Sequence, residues 1–65
     1  MDLITLIRNN NCIVKYDTVY KKEWSNNELL NHIIYLDCSK NQLTMLPDLI
    51  NCQQLYCGEN QLTMS

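Results

Sequence analysis

The sequence predicts an α/β-type solenoid fragment, built of short parallel strands and preceded by a small N-terminal cap of helix and strand. One phrase occurs twice in the 65 residues, as LDCSKNQLTM at residues 36–45 and as LYCGENQLTM at residues 55–64. Every matching position is offset by 19 residues, and repetition at about 20 residues is typical of solenoids. The N-terminal half lacks the phrase and carries helix-capping and strand-like patterns instead.

The repeated positions carry the same kinds of side chain in both copies, apolar at four positions and an asparagine at the fifth. They are Ile33, Leu36, Cys38, Asn41 and Leu43 in the first copy, and Cys52, Leu55, Cys57, Asn60 and Leu62 in the second. The segment L-x-x-L-x-C predicts a turn and a short strand with alternate side chains inward, and successive copies then form a parallel sheet. Cys38 is expected to lie over Cys57. Each asparagine follows its strand, where its amide is expected to hydrogen-bond its own turn and the adjacent turn.

Residues 1–32 are predicted to form a cap, and residues 33–65 two repeats of which the second is incomplete. Asp2 is a candidate N-cap for a helix of two turns. Ser25 and Glu28 form a capping box, which predicts a second helix from about residue 26 to residue 32.

Residues 12–24 leave two interpretations open. Their alternation of apolar and polar residues indicates a hairpin of two short strands around Asp17-Thr18. Apolar residues at the spacing of the repeat, among them Val14 and Val19, indicate a degenerate first repeat instead. In both cases Trp24 is expected to fill the core rather than to bind a ligand.

The pattern L-x-x-L-x-C-x-x-N-x-L followed by L-P-x-x-L, in residues 33–65, resembles a leucine-rich repeat protein. More narrowly, it resembles the Cys- and Asn-rich leucine-rich repeat proteins encoded by giant DNA viruses of the mimivirus kind. The resemblance implies a solenoid that binds other proteins. Two copies are fewer than the three or more usually needed, and no polar cap follows the second. We therefore expect marginal stability, or self-association through the uncapped C-terminal edge.

Charge and hydropathy argue against nucleic-acid and membrane partners. The formal net charge is −2, and residues 33–65 have one lysine against three acidic residues, so no basic surface can neutralise phosphates. No run approaches the roughly 20 apolar residues of a membrane span, and the first ten residues lack the basic leader of a signal peptide. We expect an intracellular protein with reduced thiols, located in the host cytoplasm if the chain is viral.

The sequence offers no motif for catalysis, for a metal or for a cofactor. His32 is the single histidine and has no nucleophile or carboxylate motif around it, and Gly58 alone cannot form a phosphate-binding loop. The cysteines are 26, 14 and 5 residues apart, without the paired spacing of a zinc site. We expect a non-enzymatic protein whose thiols serve as small apolar side chains.

The outward strand positions form the candidate binding surface, which we call the tyrosine face. Its residues are Tyr35, Asp37, Ser39, Gln54 and Tyr56. The favoured interpretation is a protein-interaction module, a short or truncated viral leucine-rich repeat protein. Two alternatives stay open: a gene remnant or structural fragment without independent activity, and a small thiol-based protein that responds to metal or redox state.

Overall fold

The computed structural model describes residues 2–60. Two helices and three strands follow one another along the chain, and the three strands form one sheet in the order β1-β2-β3. The elements are α1 (Leu3–Arg8), β1 (Ile13–Tyr16), α2 (Asn26–His32), β2 (Ile33–Asp37) and β3 (Gln54–Tyr56).

Helix α1 begins at the predicted N-cap. The carboxylate of Asp2 accepts a hydrogen bond from the backbone N–H of Thr5 at 2.8 Å, which satisfies one of the free donors of the first turn. The helix has six residues, slightly fewer than two full turns. After it, Asn10 adopts a φ of 61°, and its N–H donates to the carbonyl of Ile7 at 3.0 Å. Asparagine tolerates this left-handed conformation at a helix end.

Helix α2 covers the predicted range and begins at the predicted capping box. The hydroxyl of Ser25 accepts from the N–H of Glu28, and the carboxylate of Glu28 accepts from the N–H of Ser25, both at 3.2 Å. Leu29 is fully buried. Strand β2 starts at Ile33, the residue after the helix ends, so α2 leads directly into the sheet.

Neither interpretation of residues 12–24 matches the structure. They contain one strand, β1, which pairs antiparallel with β2, whereas the two repeats pair in parallel. Within residues 12–24, the residues after β1 form no second strand. Contacts between side chains fix their position instead. The ring of Tyr20 lies 5.4 Å from that of Tyr16 and 5.5 Å from that of Trp24, and Arg8 donates to the carbonyl of Trp24 at 3.0 Å. Trp24 is buried, as predicted.

Strands β2 and β3 pair in parallel, with Tyr35 opposite Gln54 and Leu36 opposite Leu55. This is the register predicted by the 19-residue offset. The alignment continues past the strands, since the N–H of Cys38 donates to the carbonyl of Tyr56 at 2.9 Å. Within residues 2–60 the molecule is therefore a three-stranded mixed sheet with two helices. Its assignment to the solenoid class stays a prediction.

The hydrophobic core joins the predicted cap and the first repeat. Nine buried side chains form it: Leu3, Leu6, Ile7, Trp24, Leu29, Ile33, Leu36, Cys38 and Leu43. The second copy contributes less, because β3 lies at the edge of the sheet. Leu55 is 42% exposed although its partner Leu36 is fully buried. The predicted repeat position Leu62 lies outside the described residues.

Candidate functional site

The sheet places the members of the tyrosine face by strand alternation. Successive side chains of a strand point to opposite sides, so Tyr35 and Asp37 lie opposite to the buried Leu36. In β3 the parallel register puts Gln54 beside Tyr35 and Tyr56 beside Asp37. The four strand residues of the face therefore share one side of the sheet, away from the core.

The two tyrosines form an aromatic pair. The ring centroids of Tyr35 and Tyr56 are 5.9 Å apart with an interplanar angle of 52°, within the range of favourable aromatic contacts. Tyr35 is half-buried, and Tyr56 is 51% exposed. The pair thus presents apolar ring surface to a partner together with two phenolic hydroxyl groups.

Strand β1 adds two residues to this surface that the sequence analysis did not identify. Lys15 lies opposite Tyr35 in the antiparallel pairing, and its Nζ is 5.4 Å from the ring centroid of Tyr35, a cation–π distance. Ile13 lies opposite Asp37 and is 62% exposed. The alternation of residues 13–16 was a usable signal, because it separates Ile13 and Lys15 from the inward Val14 and Tyr16.

The end of the tyrosine face is fixed by a tight turn. The carboxylate of Asp37 accepts from the N–H of Ser39 at 3.1 Å, an arrangement that orders the chain as it leaves β2. The next residue, Lys40, has a φ of 61°, and its N–H donates to the carbonyl of Gly58 at 2.9 Å. The turn after β2 is thereby tied to the turn after β3.

Asn60 joins the two successive turns as predicted, whereas Asn41 bonds mainly within its own turn. Nδ2 of Asn60 donates to the carbonyl of Cys57 at 3.0 Å in its own turn and to that of Cys38 at 2.9 Å in the preceding turn. Its Oδ1 accepts from the N–H of Leu43 at 3.0 Å. Nδ2 of Asn41 donates in its own turn to the carbonyl of Cys38 at 3.0 Å. These amides stabilise the bends that position the tyrosine face.

Three thiols lie near one another at the same end of the sheet. Burial raises the pKa of the Cys38 thiol to about 11, and the neighbouring Cys12 and Cys57 thiols add to the shift. Burial, with the nearby Asp37 carboxylate, also raises the pKa of Cys12. All four cysteines, including Cys52, are free thiols. Within residues 2–60, no three His, Cys, Asp or Glu side chains are grouped so as to bind a metal ion.

His32 lies within ion-pair distance of Asp17, away from the tyrosine face. Its Nδ1 is 2.7 Å from Oδ1 of Asp17, and its ring stacks on Trp24 with centroids 4.4 Å apart. The N–H of Asp17 also donates to the carbonyl of His32 at 3.0 Å. These contacts of His32 attach the end of β1 to the end of α2.

A cleft of about 400 Å³ lies beside β1, between the inward side chains of the strand and α1. Arg8 is the charged group at its wall, together with Tyr16 and Tyr20. The Arg8 guanidinium donates to the carbonyl of Trp24 at 3.0 Å and to the amide oxygen of Asn26 at 3.3 Å. Both terminal nitrogens of the guanidinium thus hydrogen-bond within the chain.

Comparison with known proteins finds no relative of the chain. No protein-family model matches the chain, no curated protein is significantly similar to it, and no solved structure matches it. Within residues 2–60, no helix has the length and apolar character needed to cross a membrane.

Proposed function

We propose that the chain is a non-enzymatic protein-interaction module of the leucine-rich repeat type, and that its partner binds the tyrosine face. The observation that carries the proposal is the Tyr35–Tyr56 pair on the side of the sheet opposite to the core. Tyrosine is enriched at protein interfaces because it offers a large apolar area with a polar group.

Neighbouring groups make this surface suitable for a protein partner. Lys15 supplies a positive charge beside Tyr35, and Asp37 supplies a carboxylate in the next row of the sheet. A standard interface buries about 800 Å² per partner. The chain exposes 4678 Å², so such an interface covers about a sixth of its surface, and the adjoining Ile13 and Lys15 offer further contact area.

The two alternatives receive less support. A gene remnant or structural fragment without independent activity is compatible with the buried core, but it offers no reason for an aromatic pair on the outer side of the sheet. A thiol-based sensor needs a thiolate, and burial raises the pKa of the Cys38 thiol to about 11, which argues against that role for this one cysteine.

We also propose an intracellular location, in the host cytoplasm if the chain is viral. The four free cysteines support it, because thiols stay reduced inside cells.

Affinity capture tests the proposed binding surface. The full chain and the double variant Tyr35→Ala/Tyr56→Ala serve as baits in an extract of the cells that make the protein, and bound proteins are quantified by mass spectrometry. The matched control is Val19→Ala/Ile50→Ala, which removes two exposed apolar side chains elsewhere, 79% and 73% exposed. Because aromatic hot spots contribute about 2 kcal/mol or more, we expect the tyrosine variant to lose its partner at least tenfold.

Equal circular dichroism and Trp24 fluorescence of all three baits establish that they are folded. Capture that is undiminished in the tyrosine variant contradicts the proposal. So does the absence of any protein that is enriched by both the wild-type and the control baits.

A further inference from the structure

The two edges of the sheet are built differently. Strand β1 carries Lys15 and an irregular register between Lys15 and Tyr16, and a charge and a bulge are features that discourage pairing with another chain. Strand β3 has the sequence QLY, with no charge and no proline, and its pairing with β2 is regular. We call β3 with its inward side chain Leu55, together with the flanking inward side chains of Cys52 and Cys57, the open edge.

The inward positions of the open edge are less covered than their equivalents in the first repeat. Leu36 and Cys38 are fully buried, whereas Leu55 is 42% exposed and Cys57 is half-buried. Since β3 itself covers the first pair, a strand placed on β3 with the same offset would cover the second pair in the same way.

The backbone carbonyls of Cys38 and Cys57 also differ, in the number of asparagine amides that donate to them. The carbonyl of Cys38 accepts two amides, from Asn41 at 3.0 Å and from Asn60 at 2.9 Å, which uses both of its lone pairs. The carbonyl of Cys57 accepts from Asn60 at 3.0 Å, and within residues 2–60 no second amide donates to it. An incoming turn with an asparagine at the equivalent position would supply that donor.

We propose that the open edge binds a parallel strand of a different polypeptide, not a second copy of this chain, that carries the same repeat unit. The partner's defining chemistry is an inward apolar residue and a cysteine two positions later, followed by an asparagine three residues further on, as in L-Y-C-G-E-N. This interface continues the β2–β3 interface of the chain, and it uses the backbone and the inward side chains at β3, not the outward side chains of the tyrosine face. It adds backbone hydrogen bonds in the manner of β-strand addition.

A synthetic peptide tests the proposal. The probe is a fluorescein-labelled peptide with the sequence of residues 49–60, LINCQQLYCGEN, titrated with the full chain in reducing buffer and followed by fluorescence anisotropy. We expect saturable binding. A peptide with lysine in place of the leucine equivalent to Leu55 is expected to bind at least tenfold more weakly, and this comparison leaves the fold of the chain untouched.

Variants of the chain locate the binding site. Leu55→Lys is expected to weaken binding of the original peptide at least tenfold, whereas Val19→Lys, at an exposed position away from the edge, leaves it unchanged. Trp24 fluorescence and thermal unfolding confirm that both variants are folded.

Three results would overturn the proposal. The first is no saturable binding by the folded chain. The second is tighter binding by Leu55→Lys, since it would mean that the peptide replaces a weakened β3 on β2 instead of adding to it. The third, seen by sedimentation, is a dimer that excludes the peptide, because a second copy would then occupy the edge.

Discussion

At the residue scale, equivalent positions of the two copies have similar neighbours in the sequence but are buried to different extents. Leu36 lies between two strands and is fully buried, whereas Leu55 lies on the edge strand and is 42% exposed. The identity of a side chain therefore does not set its energetic contribution. Its place in the stack of strands does.

Truncating each leucine should reveal this difference. We expect Leu36→Ala to lower the free energy of unfolding by about 2–5 kcal/mol, the usual cost of a cavity in a packed core. Leu55→Ala should cost only about 1 kcal/mol, because much of that side chain already contacts solvent. Urea unfolding followed by Trp24 fluorescence, with an osmolyte added to both variants if Leu36→Ala is unfolded in buffer, gives the comparison. Equal losses for the two variants would contradict the assigned positions.

The turns contain a residue-scale feature that the sequence did not predict. Lys40 and Glu59 occupy equivalent positions and both adopt the left-handed region, with φ of 61° and 57°. Neither residue type signals that conformation, while the single glycine, Gly58, is one position earlier and has no positive φ. The backbone of the turns thus repeats even where the side chains differ, because the hydrogen bonds of the asparagines repeat.

At the element scale, the features with local causes were predictable. The capping box of α2 involves residues three apart, so the sequence alone was sufficient to place Ser25 and Glu28. The parallel register of β2 and β3 followed from the repetition of the phrase. The partner of β1 was not predictable in this way, since antiparallel pairing with β2 brings together Ile13 and Asp37, which are distant in sequence and carry no repeated signal. The position of Lys15 beside the tyrosine face was not predictable for the same reason.

The cap of α2 should make stability depend on pH. The hydrogen bonds with Ser25 lower the pKa of Glu28 from its ordinary value of 4.5. A carboxyl whose pKa is lower in the folded chain stabilises the fold above its unfolded pKa, and this stabilisation is lost as the pH falls through the folded pKa. We therefore expect the free energy of unfolding to fall as the pH drops below 4.5, and Glu28→Gln to reduce this dependence.

Urea unfolding at a series of pH values between neutral and acid measures this effect. Glu23→Gln is the matched control, because that glutamate lies in the preceding loop and takes no part in the capping box. A Glu28→Gln variant that loses stability on acidification as steeply as the wild-type chain would show that the capping carboxylate is not responsible.

At the scale of the whole molecule, the two edges of the sheet are of different kinds. At one side, β1 is antiparallel and carries the register irregularity, so it does not offer the edge that a repeat needs. At the other side, β3 repeats the geometry of β2 with an offset of 19 residues. The molecule therefore has an antiparallel strand at one edge and a parallel strand at the other, where we propose that a further repeat is added.

Inserting a duplicate of residues 42–60 directly after Asn60 should raise stability. The added unit is expected to cover Leu55 and to donate an asparagine amide to the Cys57 carbonyl, so both the free energy of unfolding and the urea m-value should increase, the latter because more surface is exposed on unfolding. The control is an insertion with the same composition in shuffled order. An m-value that is the same for both insertions would contradict ordered addition of the unit.

The offset between β2 and β3 has a consequence for how the gene can change in length. The pairing register is offset by 19 residues, the length of one repeat. Recombination between the two copies of the phrase would therefore remove or add one whole repeat. Each remaining strand would keep its inward and outward side chains on the same sides of the sheet. A loss or gain of a single codon within a strand would instead turn every later side chain of that strand to the opposite side. A gene of this kind can change its length in whole units while the antiparallel start of the protein stays the same.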